Sequence, residues 1–225
     1  EPGREEDATI ETGTAAALAG GFTSIASMPT SDPPVDTQGS VQYVRTRARE
    51  AGNCNVFPLA CLSKERKGEE LAEIGLLVEA GAVGFCDGGR PIRNAELLRR
   101  ALEYCQMFDT PVMNHPESLD LTHDGIMHEG LTSMILGLPG LPAEGEDVMT
   151  SRDLRLAQAT GGLYVGGGIP PRILAILKEG AFLKAFLSKE KYTDYMRRIP
   201  VKVILNPDSA LLGAAEYGIE QLERL

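Results

Sequence analysis

Short runs of apolar and β-branched residues recur along the chain at 22–28, 56–62, 82–86 and 111–114. Each is flanked by a stretch whose apolar positions repeat with a helical period, at 9–19, 38–51, 69–80 and 94–108. Runs of the first kind predict buried strands, and the 3.6-residue period predicts helices with one face on a core. One strand plus one helix takes up about 30 residues, as a parallel crossover requires, because the chain must return to the same end of the sheet before the next strand. The expected architecture is therefore α/β with parallel strands. Leu136-Gly137-Leu138-Pro139-Gly140-Leu141-Pro142 reads as a loop, and 144–159 as a helix.

The pattern changes at Thr160-Gly161-Gly162. Beyond it, Leu163-Tyr164-Val165 reads as a short strand running into three glycines, and Pro170-Pro171 opens a helix with Ile173, Leu174 and Leu177 on one face. A second strand is expected at 201–205 and a closing helix at 210–222, with 184–198 a solvent-facing helical connector. The chain shows no internal repeat and no low-complexity tract.

At 225 residues, 43% of them hydrophobic, the chain can bury one sizeable α/β core or two small ones. A formal net charge of -10 leaves no basic stripe for phosphates, which speaks against nucleic acid or an anionic membrane and for a small-molecule substrate. Cys54, Cys61, Cys86 and Cys105 sit in apolar surroundings without a C-x-x-C spacing, as buried thiols in a reducing compartment would. No run approaches the roughly 18 apolar residues of a membrane span, and the acidic opening lacks the basic and apolar regions of a signal peptide. The expectation is a cytoplasmic protein, and assembly into a homo-oligomer remains open. Because the chain begins at Glu1 rather than at methionine, processing or truncation upstream is also expected.

In parallel α/β folds chemistry gathers where strands end at their carboxyl edge. That rule selects Met28-Pro29-Thr30-Ser31, Cys86-Asp87-Gly88-Gly89 and Asn114-His115-Pro116-Glu117. Asp87 and His115 are candidate metal ligands, since carboxylate and imidazole are typical zinc donors and neighbouring strands can converge them. An Asp before Gly equally serves a turn, and a lone His at the end of a buried strand can be structural. His123 and His128 read as solvated loop residues. Two ligands are fewer than the three that a catalytic zinc site commonly draws from protein.

The residues resemble the dihydroorotase family of the amidohydrolase superfamily from Glu1 to Gly162. Glu1-Pro2-Gly3 is similar to the end of that family's His-x-His-x-Arg-x-Pro-Gly segment. Thr12-Gly13-Thr14-Ala15-Ala16-Ala17, Ala19-Gly20-Gly21-Phe22-Thr23, Met28-Pro29, Gly84-Phe85-Cys86-Asp87 and Asn114-His115-Pro116-Glu117 follow in order. Met127-His128-Glu129-Gly130, Arg152-Asp153-Leu154 and Thr160-Gly161-Gly162 complete the series. The resemblance implies an incomplete (β/α)8 barrel, with Asp87 as a metal-coordinating aspartate and His115 as the third-position metal histidine. The implied chemistry is zinc-dependent hydrolysis of a cyclic amide in pyrimidine biosynthesis. Related hydantoinases and allantoinases carry a carboxylated lysine instead, and no lysine occurs between Lys67 and Lys178. Thr30 stands where the family has Asn at the substrate, and Gly88 where it has a second acid. The resemblance also places a His-x-His pair before Glu1, and a further metal histidine and a proton-shuttling aspartate beyond the point of divergence. No catalytic residue is therefore expected in the chain, and its own activity is expected to be absent.

From Gly161 to Leu225 the chain resembles the carboxyl-terminal segment of bacterial glucokinases, through Gly161-Gly162-Leu163-Tyr164-Val165-Gly166-Gly167-Gly168-Ile169-Pro170-Pro171-Arg172. Gly180-Ala181-Phe182, Leu205-Asn206-Pro207 and Leu211-Leu212-Gly213-Ala214-Ala215 extend it. This implies a βα segment like the end of a ribonuclease-H-like kinase domain, with Gly166, Gly167 and Gly168 as the relic of an ATP contact. The expected division is a hydrolase-like part over 1–160 and a kinase-like part over 161–225. A sugar-kinase fragment and a non-catalytic scaffold are the alternatives to a hydrolase.

Overall fold

The computed structural model describes residues 1–158 and the backbone of two short strands beyond them, 163–165 and 201–203. Helix α1 (Ile10–Ala19) starts at Thr9, whose hydroxyl accepts the Thr12 N–H at 3.1 Å and so satisfies a backbone donor that the first turn leaves open. Strand β1 (Ser24–Ser27) follows. Helix α2 (Gln38–Ala51) is capped in the same way by Thr37 and stops at Gly52, where a φ of 63° favours glycine. Its buried residues Val41, Val44 and Ala48 line one face. After strand β2 (Asn55–Ala60) come helix α3 (Ile74–Ala80), strand β3 (Gly84–Phe85) and helix α4 (Ala95–Gln106).

The sheet runs β1-β2-β3 in sequential order, and both pairings are parallel, with Ile25 opposite Val56 and Ala60 opposite Phe85. The fourth expected strand is reduced to one parallel bridge between Val112 and Phe85. It is held by Phe85 N–H to the Pro111 carbonyl at 3.0 Å and Met113 N–H to the Phe85 carbonyl at 2.8 Å. One core joins Val41 and Val44 of α2, Leu77 of α3, Phe85 of β3 and Leu98 and Ala101 of α4. Cys61, Cys86 and Cys105 are buried, Cys54 is half-buried, and all four thiols are free. Burial pushes the Cys105 thiol up to about 11, which keeps it protonated at neutral pH.

Two stretches depart from the expectation. Residues 69–73 are not helical. Ala72 N–H donates to the Leu62 carbonyl at 3.0 Å and Lys64 N–H to the Glu70 carbonyl at 2.9 Å, so the chain past β2 doubles back and α3 cannot begin before Ile74. Where loop is expected, around His123, His128 and 136–142, the chain also holds small elements: α5 (Leu119–Thr122), β4 (Met127–His128), α6 (Leu131–Leu136) and β5 (Gly140–Leu141), with β4 and β5 paired in parallel. Helix α7 (Glu144–Gln158) then packs against α4 and α5. Strands β6 (Leu163–Val165) and β7 (Val201–Val203) pair in parallel. The helices expected at 170 onward and at 210–222, the connector at 184–198, and Gly166, Gly167 and Gly168 lie outside the described residues. Among the described residues no helix is long and apolar enough to cross a membrane.

Candidate functional site

Because β1, β2 and β3 are parallel, their carboxyl ends lie at one edge of the sheet, and the loops leaving that edge carry the candidate residues. Asp87 lies two residues past the end of β3 and is 2% exposed. Its Oδ1 accepts the backbone N–H of Leu62 at 2.9 Å and of Ser63 at 3.0 Å, and its Oδ2 accepts the Ser63 hydroxyl. The carboxylate thus terminates the neighbouring strand β2 in a buried cradle, which charge-assisted hydrogen bonds make strong and directional. Each carboxylate oxygen has two acceptor sites. Oδ2 therefore keeps one.

The two departures from the family pattern meet beside it. Gly88 has a φ of 65°, and a Cβ added there would lie 2.5 Å from Thr30 Cγ2 and 3.0 Å from an Arg66 guanidinium nitrogen. Thr30 and Arg66 thus fill the space that a side chain at 88 would take. Arg66 is anchored by its Nε–H to the Asp87 carbonyl at 3.0 Å. It leaves a backbone turn in which Glu65 and Arg66 both have positive φ, 55° and 59°, a conformation that non-glycine residues adopt at a cost. A cavity of about 840 Å³ opens here, lined by Thr30, Ser31, Asp32, Arg66 and Arg90 among others, but by neither Asp87 nor His115. A larger opening of about 1300 Å³ lies at the other end of the strands, along Thr23, Asn55 and Pro111. Candidate chemistry belongs to the carboxyl edge, so neither volume by itself locates it.

His115 follows the bridged segment on the next position of the sheet. Its ring is half exposed and its Nε2 lies 2.9 Å from Glu117 Oε2. Hydrogen bonds from Thr122 and His115 hold the Glu117 carboxyl below the usual carboxylate range. Asn114, one residue earlier, is anchored on both sides: its Oδ1 accepts Ile92 N–H at 3.1 Å and its Nδ2 donates to Asp153 Oδ2 at 2.6 Å. His123 is exposed and pairs with Asp124, and His128 is exposed on β4. Among the described residues no group of three His, Cys, Asp or Glu side chains could hold a metal ion. Asp87, with its remaining acceptor site, and His115, with an exposed ring, are donors of the kind zinc takes. They are two donors of a set that needs more.

Sequence reasoning missed Ser63 and Arg66. The rule that singled out the ends of the other strands applies equally to the end of β2, where Leu62 and Ser63 stand. The roles of Asn114 and Asp153 were not legible, because the two are 39 residues apart.

These features define an α/β protein with polar residues gathered at the carboxyl edge of a parallel sheet. A family model described as Dihydro-orotase-like matches residues 1–169, and the chain belongs to that family. A second model, Glucokinase, matches residues 149–221. The dihydroorotase of Pelobacter propionicus is 53% identical over 160 residues, covering 71% of this chain and 38% of the relative. That of Acetivibrio thermocellus is 48% identical over 160 residues, again 71% of this chain and 38% of the relative. The chain thus spans under two fifths of the length of these relatives. Among solved structures, the L-hydantoinase (dihydropyrimidinase) of Arthrobacter aurescens superposes with a TM-score of 0.56 at 18% identity, covering 87% of this chain and 42% of the neighbour. That likeness shows a shared fold.

Proposed function

We propose that residues 1–158 are part of a zinc-dependent cyclic amide hydrolase of dihydroorotase type, built as a portion of a (β/α)8 barrel, with Asp87 and His115 among the metal ligands and Thr30 on the substrate wall. The observation that carries this reading is the placement of Asp87 and His115 after neighbouring parallel segments, β3 and the bridged Val112, in a chain of that family. Zinc, when bound, would lower the pKa of a bound water and polarise the amide carbonyl. Within the chain, the Leu62 and Ser63 N–H groups keep the Asp87 carboxylate fixed in position, and the Thr30 methyl and Arg66 shape the wall next to it. The setting is a cytoplasmic enzyme acting on a small molecule.

On its own the chain supplies two donors from its described residues, so it should not hydrolyse dihydroorotate above background with zinc added. Turnover by the unmodified chain would show that further donors complete the site, Glu117, His123 and His128 first. Joining residues 1–162 to the flanking segments of a dihydroorotase relative should give turnover that is lost in Asp87→Ala and His115→Ala. Turnover indifferent to both substitutions would refute the assignment of ligands. The glucokinase match supports a second reading for the later residues, in which Gly166, Gly167 and Gly168 are an inert remnant of an ATP contact. ATP-dependent glucose phosphorylation by the chain would show that this segment still functions as a kinase part.

A further inference from the structure

The pair Arg152-Asp153 belongs to the hydrolase resemblance, yet the proposed chemistry gives it no task. In the fold it closes a ring of hydrogen bonds. Ile92 N–H donates to Asn114 Oδ1 at 3.1 Å, and Asn114 Nδ2 donates to Asp153 Oδ2 at 2.6 Å. Arg152 Nε–H donates to Asp153 Oδ1 at 2.8 Å, and Arg152 Nη2 returns to the Ile92 carbonyl at 2.6 Å. Arg152 Nη1 adds a bond to the Arg93 carbonyl at 2.8 Å. The ring therefore begins and ends on Ile92, a core residue only 1% exposed, and ties together the loop after β3, the end of the bridged segment and α7.

We propose that Arg152 and Asp153 are a positioning pair that fixes the Asn114-His115 strand end against the loop after β3, and thereby sets where the His115 ring stands at the carboxyl edge. Asn114 is the last residue before His115 whose side chain is anchored on both sides. The His115 ring is half exposed, and among the described residues its one polar contact is with Glu117, two residues on, so no side-chain hydrogen bond of its own ties it to the sheet. The Asn114 amide has one orientation that satisfies both partners, its oxygen toward a donor and its nitrogen toward a carboxylate. Asp153 supplies the acceptor, and Arg152 holds Asp153 while spending its remaining N–H groups on two backbone carbonyls. Linked bonds of this kind, with a charged member, are stronger and more directional than neutral ones. Partners that orient a metal-ligating side chain commonly change metal affinity about 10- to 100-fold when removed.

The test uses the full 225-residue chain in Asp153→Ala, Asp153→Asn and Leu156→Ala forms. Leu156 packs on the core from the same helix and takes no part in the ring. The readouts are the Asn114 side-chain amide and His115 ring resonances by NMR, hydrogen exchange at the Ile92 amide, the thermal midpoint, and a cobalt(II) titration. In Asp153→Ala the Asn114 amide should move to a solvent-averaged position, the His115 ring signal should broaden, Ile92 exchange should accelerate, and cobalt(II) affinity should fall about 10- to 100-fold. Asp153→Asn, which keeps an acceptor for Asn114, should give a smaller change of the same sign, and it decides the matter if the alanine form does not fold. Leu156→Ala should lower the thermal midpoint while leaving these signals in place. A folded Asp153 variant with unmoved Asn114 and His115 signals, or a Leu156→Ala form that moves them equally, would overturn the proposal. The metal arm rests on the reading of His115 as a ligand. With only two donors in the described residues the parent chain should bind cobalt(II) weakly, so the NMR comparison decides the role of Asp153 without the metal.

Discussion

Replacing Asp87 separates its structural load from any chemistry. Leu62 and Ser63 are both 0% exposed, and their N–H groups have the Asp87 carboxylate as acceptor. In Asp87→Ala both donors stay buried with no acceptor, at about 1–3 kcal/mol each, or about 2–6 kcal/mol together. The Ser63 hydroxyl, which also accepts Gly68 N–H at 2.8 Å, loses the acceptor for its own O–H as well and adds to this cost unless it rotates onto another acceptor. A domain of ordinary stability has only about 5–15 kcal/mol in hand, so the alanine form should be close to unfolding. Asp87→Asn keeps an oxygen where Oδ1 stands and should cost only about 1 kcal/mol. In urea, with a slope of about 2 kcal/mol/M, a loss of about 4 kcal/mol lowers the midpoint by about 2 M. The asparagine form should shift it by about 0.5 M. Equal midpoints for Asp87→Ala and the parent chain, at equal slope, would refute the cradle as a source of stability and return Asp87 to a simple turn residue.

Gly88→Ala should destabilise by about 1–3 kcal/mol, from its positive φ and the close approach to Thr30 Cγ2. Adding Thr30→Ser, which removes that methyl, should restore part of the loss, and a double-mutant cycle with a coupling below about 0.5 kcal/mol would show that the two sites are independent. Glu1 offers a pH test. Its side chain is 4% exposed, and although burial opposes its charge, hydrogen bonds from Ile10 N–H, Arg47 and Tyr43 outweigh this and lower its pKa from 4.5. The folded state thus prefers the ionised form, and the stabilisation is present above the unfolded value and lost as pH falls through the folded one. Glu1→Gln should therefore lower the thermal midpoint at pH 7 by about 3–6 °C, and the difference should shrink below pH 4. A difference that stays constant between pH 7 and pH 3 would contradict the assignment.

What was legible in the residues was whatever depends on neighbours in the chain. Helix α2 was readable from the helical period over 38–51, where the structure buries Val41, Val44 and Ala48 between the Thr37 cap and Gly52. Helix α4 was readable from the helical period over 94–108, and the structure shows Asn94 capping it by accepting the Glu96 and Leu97 N–H groups. The parallel order of the sheet followed from crossover length. The start of α3 was not readable, because Leu71 and Ala72 are drawn to Ser63 and Leu62 by pairing across a turn that no periodicity records. Strands β4 and β5, two residues each, are too short to leave a pattern. At the site, strand-end logic selected Asp87, but its acceptor role toward residues 24 and 25 positions earlier is a property of adjacent strands. The contact of Thr30 with the space above Gly88 is likewise tertiary.

The two candidate ligands are held by different means, and this bears on any attempt to restore activity. Asp87 is set by the sheet itself, within reach of β2 and β3 alone, so any version of the chain that forms those strands presents it. His115 is set at second hand, through Asn114, and Asn114 depends on a helix that starts 30 residues later at Glu144. A histidine placed in this way can be lost to function while the sheet remains whole. Reconstitution with segments of a relative must therefore carry α7 together with its Arg152-Asp153 pair. A version that keeps the sheet and replaces that helix should retain the Asp87 cradle, measured by protection of the Leu62 and Ser63 amides, while losing the fixed position of His115. Protection of both amides together with an unchanged His115 ring signal would show that the strand end is rigid without α7, and that the division of labour drawn between sheet and helix is wrong.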